Sequence, residues 1–382
     1  GQSNKLPQHI PFDIELIDAE GHSLVNQVLD FKEQSQQFVF EDVKAKPVAS
    51  LLQDFSAPVK LSVKYSIEQL LHLMRFANSE VAKWEASVAL FSQSIWQCVD
   101  NLQNGKAMHI DSRLVDGFKG VLLSENLNEA LMAEILTLTS AGSLIEQTDS
   151  IDLDNLALAR QFAVLQIAQG CEEELLAKVR QLQSLDSADA RALKNVCLSL
   201  LLNVDDSYRE LAKQQFESSD NMTDTLGALT ALNGETSLDR NQLMNAFETR
   251  WLETPLAMDK WLSLHATFAS KDCIGQLEQL LKHDAFSMSN PNRVRSLIGV
   301  FAAANTFEFH RKDAKGYEFL TKAIIKLNKV NPQVAARIIT PLIQFKKYDL
   351  ARQALMRKSL QEILAINDLS KDLYEKVTKA LS

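Results

Sequence analysis

The chain has 382 residues, of which 46% are hydrophobic and 23% charged, and a net charge of −9 at pH 7. That length exceeds what one hydrophobic core usually serves, so two domains are expected. The acidic balance, with no basic stripe to offset it, argues against nucleic acid and anionic membrane surfaces as partners.

Cys98, Cys171, Cys197 and Cys273 show no paired spacing and read as helix-buried thiols of a reducing compartment. No apolar run approaches the roughly 20 residues that span a bilayer. The polar amino terminus lacks a signal-peptide pattern and Gly1 reads as an expression scar, so the chain is expected to be cytoplasmic.

In chain order, the first residues alternate with period two. Ile10, Phe12, Ile14 and Leu16 share one face, and Asp18 to Gly21 supplies a turn. Phe38 with Phe40, and Val59 with Leu61 and Val63, read as two further strands. Pro7, Pro11, Pro47 and Pro58 crowd this segment, and the next proline is Pro255. At Ser66 the period changes: Ser66 and Gln69 form a capping box, with Leu70, Leu71, Leu73 and Met74 behind it. About a dozen amphipathic helices follow. The clearest are near 80–104, 154–169, 187–202, 238–253, 255–269, 291–304, 332–345 and 370–381. The expected fold is mainly α. A small antiparallel β-sandwich over 1–63 precedes a large HEAT- or armadillo-like superhelical domain over 64–382.

Two helix starts are especially legible. Asn290 and Asn331 are N-caps, and Pro291 and Pro332 take the first helical position, where a missing N–H costs nothing. Each helix then carries an arginine in its second turn. Arg295 falls beside Gly299 and Ala302, and Arg337 lies on a polar line with Gln333, Thr340 and Gln344. Two readings stay open from periodicity alone. Both can be ordinary surface arginines, or each can lie along a concave wall and present its fork to a carboxylate.

Chemistry of other kinds is missing from the sequence. There is no His-Glu-x-x-His, no Cys-x-x-Cys, no Gly-x-Ser-x-Gly elbow and no glycine-rich phosphate loop. His265, four residues after Trp261, reads as part of a packed helix face rather than a catalytic base. Asp259-Lys260 and Asn221 to Asp224 read as caps and solvated faces, and Trp84, Trp96 and Trp251 as core anchors.

Several long, non-periodic strings carry a resemblance. They are Ser287 to Gly299, Asn331 to Arg337, Asn221 to Asp224, Met258 to Trp261 and Leu369 to Leu381, with His9 to Leu16 and Phe55 to Leu61 before them. In this order they resemble the carboxy-terminal region of the bacterial aminopeptidase N family of zinc metallo-aminopeptidases. The resemblance implies a longer parent whose missing domains carry the zinc, the Gly-Ala-Met-Glu-Asn loop and a catalytic tyrosine. No catalytic residue or metal ligand carries over to this chain, which is expected to be an excised, inactive part. It implies no cofactor here but zinc in the parent. The implied partners are the catalytic domain of the same polypeptide and peptide substrates, in peptide catabolism. In that family a helical bowl caps the active-site cavity, restricts access to peptides and bears arginines on its inner wall; Arg295 and Arg337 match them. An apolar docking patch is expected near Leu73 and Phe76. The competing reading is a stand-alone helical-repeat scaffold that binds a partner protein.

Overall fold

The structure, a computed structural model, describes residues 6–234 and 237–382; Gly1 and the first residues of the 1–63 segment lie outside these. The chain forms two compact units. One comprises Gly1–Asp100, Ala107–Thr139 and Ala163–Cys197, the other Asn101–Lys106, Ser140–Phe162 and Leu198–Ser382.

The first unit holds one antiparallel sheet of three strands, β1 (Ile10–Ile17), β2 (Ser23–Phe31) and β3 (Val48–Leu51), in the order β2-β1-β3. The alternating strand is thus the central one, with Ile14 opposite Gln27 on one side and Leu51 on the other. The other two expected strands lie elsewhere than the alternation placed them. Phe38 packs edge-on against Phe31 at 6.4 Å from an irregular segment, and 59–63 joins no ladder among the described residues. β2 has no fully buried residue and β3 has four residues, so neither shows a buried face for period two to reveal.

Glu15 points inward from β1 and is buried. Its carboxylate accepts from Gln53 Nε2 at 3.2 Å, from the Asn78 backbone N–H at 2.9 Å and from the Asn78 side-chain amide. These bonds replace water around a buried charge and tie the sheet to the turn after the first helix, Ile67–Phe76. That helix opens on the expected capping box, Ser66 with Gln69. The β1–β2 turn closes over it: Gly21 has φ 92°, and the Phe76 ring stands 2.2 Å from where a Cβ would be. Leu73 is therefore core, not docking surface. The large exposed apolar side chains of this region include Leu24, Val28, Val39 and Phe55, with Leu6, Val59, Leu61 and Val63 besides.

Beyond Leu51 the described residues contain helices and no strand. Glu80–Gln103, Ala188–Leu201, Leu238–Trp251, Pro255–Ala266 and Lys371–Leu381 stand where periodicity placed them. The four cysteines are free and buried, and burial pushes the thiols of Cys171, Cys197 and Cys273 up to about 12. The tryptophan reading needs correction. Trp84, Trp96 and Trp251 are only half-buried. Trp261 is the core tryptophan, donating from Nε1 to the Met244 carbonyl at 3.0 Å. Asp224 and Asp259 are not on solvated faces either. Asp224 is buried behind its Asn221 cap, and Asp259 pairs at 2.7 Å with the buried Arg293, which also donates to the Pro255 carbonyl.

Candidate functional site

Both arginines picked out in the sequence sit at irregular points of their helices. The first helix runs Pro291–Val294, passes through a π-helical turn at Arg295–Gly299 and continues as Val300–Ala304. Its Asn290 cap accepts from Asn292 and Arg293, and the wide turn is closed by Val300 N–H donating to the Arg295 carbonyl. The second helix is shorter than the expected 332–345. Capped by Asn331, it covers Pro332–Ile338 and restarts as Thr340–Ile343. Pro341 has no N–H to give the Arg337 carbonyl, and the Thr340 hydroxyl donates there instead at 2.9 Å.

These two segments and the helix Ala141–Glu146 line a cavity of about 420 Å³ within the second unit. Arg295 and Arg337 are both on its wall, together with Gly299 and Ala302, which leave the space open. Arg295, Arg337 and Glu146 are exposed and form the rim, whereas Thr306, His310 and Tyr348 are buried and form the floor.

Arginine commitments differ sharply across this unit. Arg293 is spent on Asp259, and Arg240 lies 3.8 Å over the Phe268 ring with Nε on Asn233 at 2.9 Å. Arg352, 5% exposed in its side chain, is held by Asp154 and Asp349, each at 2.7 Å. Arg295 by contrast meets only the Asn292 side chain at 3.4 Å, and Arg337 has no side-chain partner among the described residues. Two guanidinium forks are left available at one cavity mouth, an arrangement suited to a carboxylate.

The floor is uncharged. His310 shares a hydrogen bond between Nδ1 and the Tyr317 hydroxyl at 3.0 Å and stacks on Tyr348 at 4.2 Å. Burial, aided by the nearby Arg352, pushes its imidazole down to about 3, and burial pushes the Tyr348 phenol up to about 12. His265, away from the cavity, packs edge-on against Trp261 at 4.4 Å and is also pushed down to about 3, chiefly by burial and then by Arg240. It is a packed helix-face residue.

Both histidines predict an acid sensitivity. Each is neutral when folded and titrates near 6.5 when unfolded, so its contribution is complete above that pH. As pH falls from 6.5 towards 3 the unfolded chain binds protons that the folded one refuses, and stability is lost. We expect on the order of 1–2 kcal/mol per histidine between pH 7 and pH 5. Urea denaturation at both pH values checks this, with His265→Leu as comparison. The substituted chain should lose less stability on acidification, and an unchanged loss would contradict the assignment.

One other cluster brings potential metal ligands together among the described residues: Asp18, Glu20 and His22, whose ligand atoms lie within 4.8 Å of one another. It is a solvated turn cap, in which Asp18 accepts from the backbone N–H groups of Glu20 and His22.

Comparison with known proteins gives two family matches that together cover nearly the whole chain. Residues 67–382 match a domain of unknown function with ARM repeats (DUF3458_C), and residues 1–64 one with an Ig-like fold (DUF3458). The chain is 41% identical to aminopeptidase N of Escherichia coli K12, a match covering 100% of this chain and 46% of that protein. Haemophilus influenzae aminopeptidase N is 37% identical over 100% of this chain and 45% of its own length. The chain belongs to the DUF3458 family, the carboxy-terminal part of aminopeptidase N. The structure of Legionella pneumophila aminopeptidase A in complex with aspartic acid is similar, with a TM-score of 0.89 and 32% identity, covering 98% of this chain and 45% of that one. The chain thus spans less than half the length of the aminopeptidase N relatives it matches.

Within this aminopeptidase N region the sequence pointed to Arg295 and Arg337 but not to His310, Tyr348 or Arg352. His310 follows Phe309 in a run without helical periodicity, and Arg352 looks like any other cation of an amphipathic helix. The available signal was the spacing Asp349-x-x-Arg352, in which the N-cap carboxylate both receives the Arg352 backbone N–H at 3.0 Å and pairs with its side chain.

Proposed function

We propose that this chain is the non-catalytic carboxy-terminal part of a zinc-dependent aminopeptidase N, which removes amino-terminal residues from peptides. The helical domain, residues 64–382, caps the active-site cavity and limits access to peptides, and the β domain, residues 1–63, joins it to the catalytic half. The observation that carries the reading is a cavity with two uncommitted arginines, in a chain 41% identical throughout its length to an aminopeptidase N. A peptide held by its amino end at a distant catalytic centre presents a free carboxylate at its other end, which Arg295 and Arg337 receive.

The residues described here do not fit a catalytic zinc. The one close trio of candidate ligands sits in a solvent-facing turn, with Glu20 and His22 exposed and Asp18 already engaged as the turn cap, so zinc chemistry is assigned to the parent's other domains. The exposed Leu24, Val28, Val39 and Phe55 support docking of the catalytic domain on the first unit. No described helix is long and apolar enough to cross a membrane, and a cytoplasmic location is part of the proposal.

A direct test is to compare this chain with its parent polypeptide. The chain alone should hold no stoichiometric zinc and release nothing from chromogenic aminoacyl substrates, while the parent does both. One tightly held zinc per chain, or turnover by the chain itself, would overturn the reading. A parent without peptidase activity would favour a protein-binding scaffold.

A further inference from the structure

The cavity floor carries more polar capacity than the fold uses. The Tyr348 hydroxyl, His310 Nε2 and the Thr306 hydroxyl have no hydrogen-bond partner among the described residues, although all three side chains are more than nine-tenths buried and line the cavity. None of the three atoms is sealed off from solvent, so water meets them in the cavity, and a ligand that displaces that water must replace its hydrogen bonds. His310 and Tyr348 are stacked at 4.2 Å and held from behind, His310 by the Tyr317 hydroxyl and by Arg352 Nε, which donates to its carbonyl at 2.7 Å. The pair is held in place, neutral, and part of the cavity lining.

We propose that the His310–Tyr348 pair is a specificity element that reads the side chain of the last residue of a bound peptide, favouring an amide, as in glutamine or asparagine. This rests on the carboxylate-binding reading of Arg295 and Arg337, which place that residue over the floor. An amide both donates and accepts, so it satisfies Tyr348 and either tautomer of His310. An ammonium would lose its hydration below two arginines, and a side-chain carboxylate would find its counter-charges at the rim taken by the peptide's own carboxylate while the floor beneath it is uncharged. An aliphatic side chain would leave the floor groups unpaired, which a site built for hydrogen bonding penalises.

The test uses the intact parent polypeptide and free-acid tetrapeptides Ala-Ala-Ala-X, with X glutamine, its near-isostere methionine, or glutamate. KM for the glutamine peptide should be lower than for either of the others by about fivefold to tenfold, the worth of one or two net hydrogen bonds. Tyr348→Phe removes only an oxygen that no described residue bonds, so Tm should hold while the glutamine-to-methionine ratio falls to within about twofold. Equal KM values for glutamine and methionine peptides, or a ratio unmoved by Tyr348→Phe, overturn the inference. Amidated versions of the same peptides separate it from the reading beneath. A free-acid preference without a glutamine preference removes the floor proposal alone. A glutamine preference without any effect of amidation removes the arginine reading.

Discussion

Replacing Arg352 with methionine lowers stability by about 2–3 kcal/mol, chiefly by leaving a carbonyl in the interior without its donor, while water screens the two carboxylates left behind. The guanidinium is 5% exposed and makes four hydrogen bonds: one to the His310 carbonyl, two to Asp154 and one to Asp349. Arg352 foremost, with Lys312 adding to it, holds the Asp154 carboxyl at about 2. Methionine keeps the volume but leaves the His310 carbonyl without its donor, and leaves Asp349 with only the Arg352 backbone N–H and solvent. Arg352→Lys should recover part of the loss, because an ammonium returns the charge without the planar fork. Asp154→Asn should cost less than either, since that side chain is half exposed and screened by water. Equilibrium urea denaturation measures all three. A methionine variant within about 1 kcal/mol of the parent chain would mean that the network is ornamental.

The same network shows where reading a sequence stops. Asp154 and Arg352 are 198 residues apart, and no periodicity within either helix announces that they meet. Local devices were plain: the Ser66–Gln69 capping box and the Asn-Pro starts at 290 and 331 depend on neighbours within four residues. The central strand was equally plain, because it is the one strand with a buried face. β2 and β3 were not, one without a fully buried residue and the other four residues long. In the candidate site, Arg295 and Arg337 could be singled out because small or polar residues flank them at helical spacing. The π turn at 295–299 and the break at Pro341 could not be foreseen in detail, since both follow from how the chain packs around the cavity. The floor was hidden for the same reason. His310, Tyr317 and Tyr348 are brought together by folding, and nothing in the sequence between them suggests a stacked pair.

The other large effect concerns binding. With both rim arginines replaced, Arg295→Ala and Arg337→Ala together, the parent enzyme should bind free-acid peptides about 10- to 100-fold less tightly. Each fork in a partly wet cavity contributes roughly 0.7–1.4 kcal/mol, which for the two together gives that factor. On the proposed reading the carboxylate is remote from the reacting bond and changes little on the way to the transition state. Its loss should therefore raise KM and leave kcat nearly unaltered. Neither arginine holds another element in place, so the folded state should be unperturbed; Arg295 gives up one weak contact to Asn292 and Arg337 gives up none among the described residues.

The central claim is that this cavity receives the carboxylate end of a peptide, and one comparison tests it most directly. KM is measured for free-acid and amidated peptides of two to six residues, in the parent enzyme and in the double variant. The account predicts that amidation raises KM in the parent enzyme, that the double variant raises it for free acids only, and that single-residue amide substrates notice neither change. An equal rise for acids and amides, or no rise at all, would contradict it.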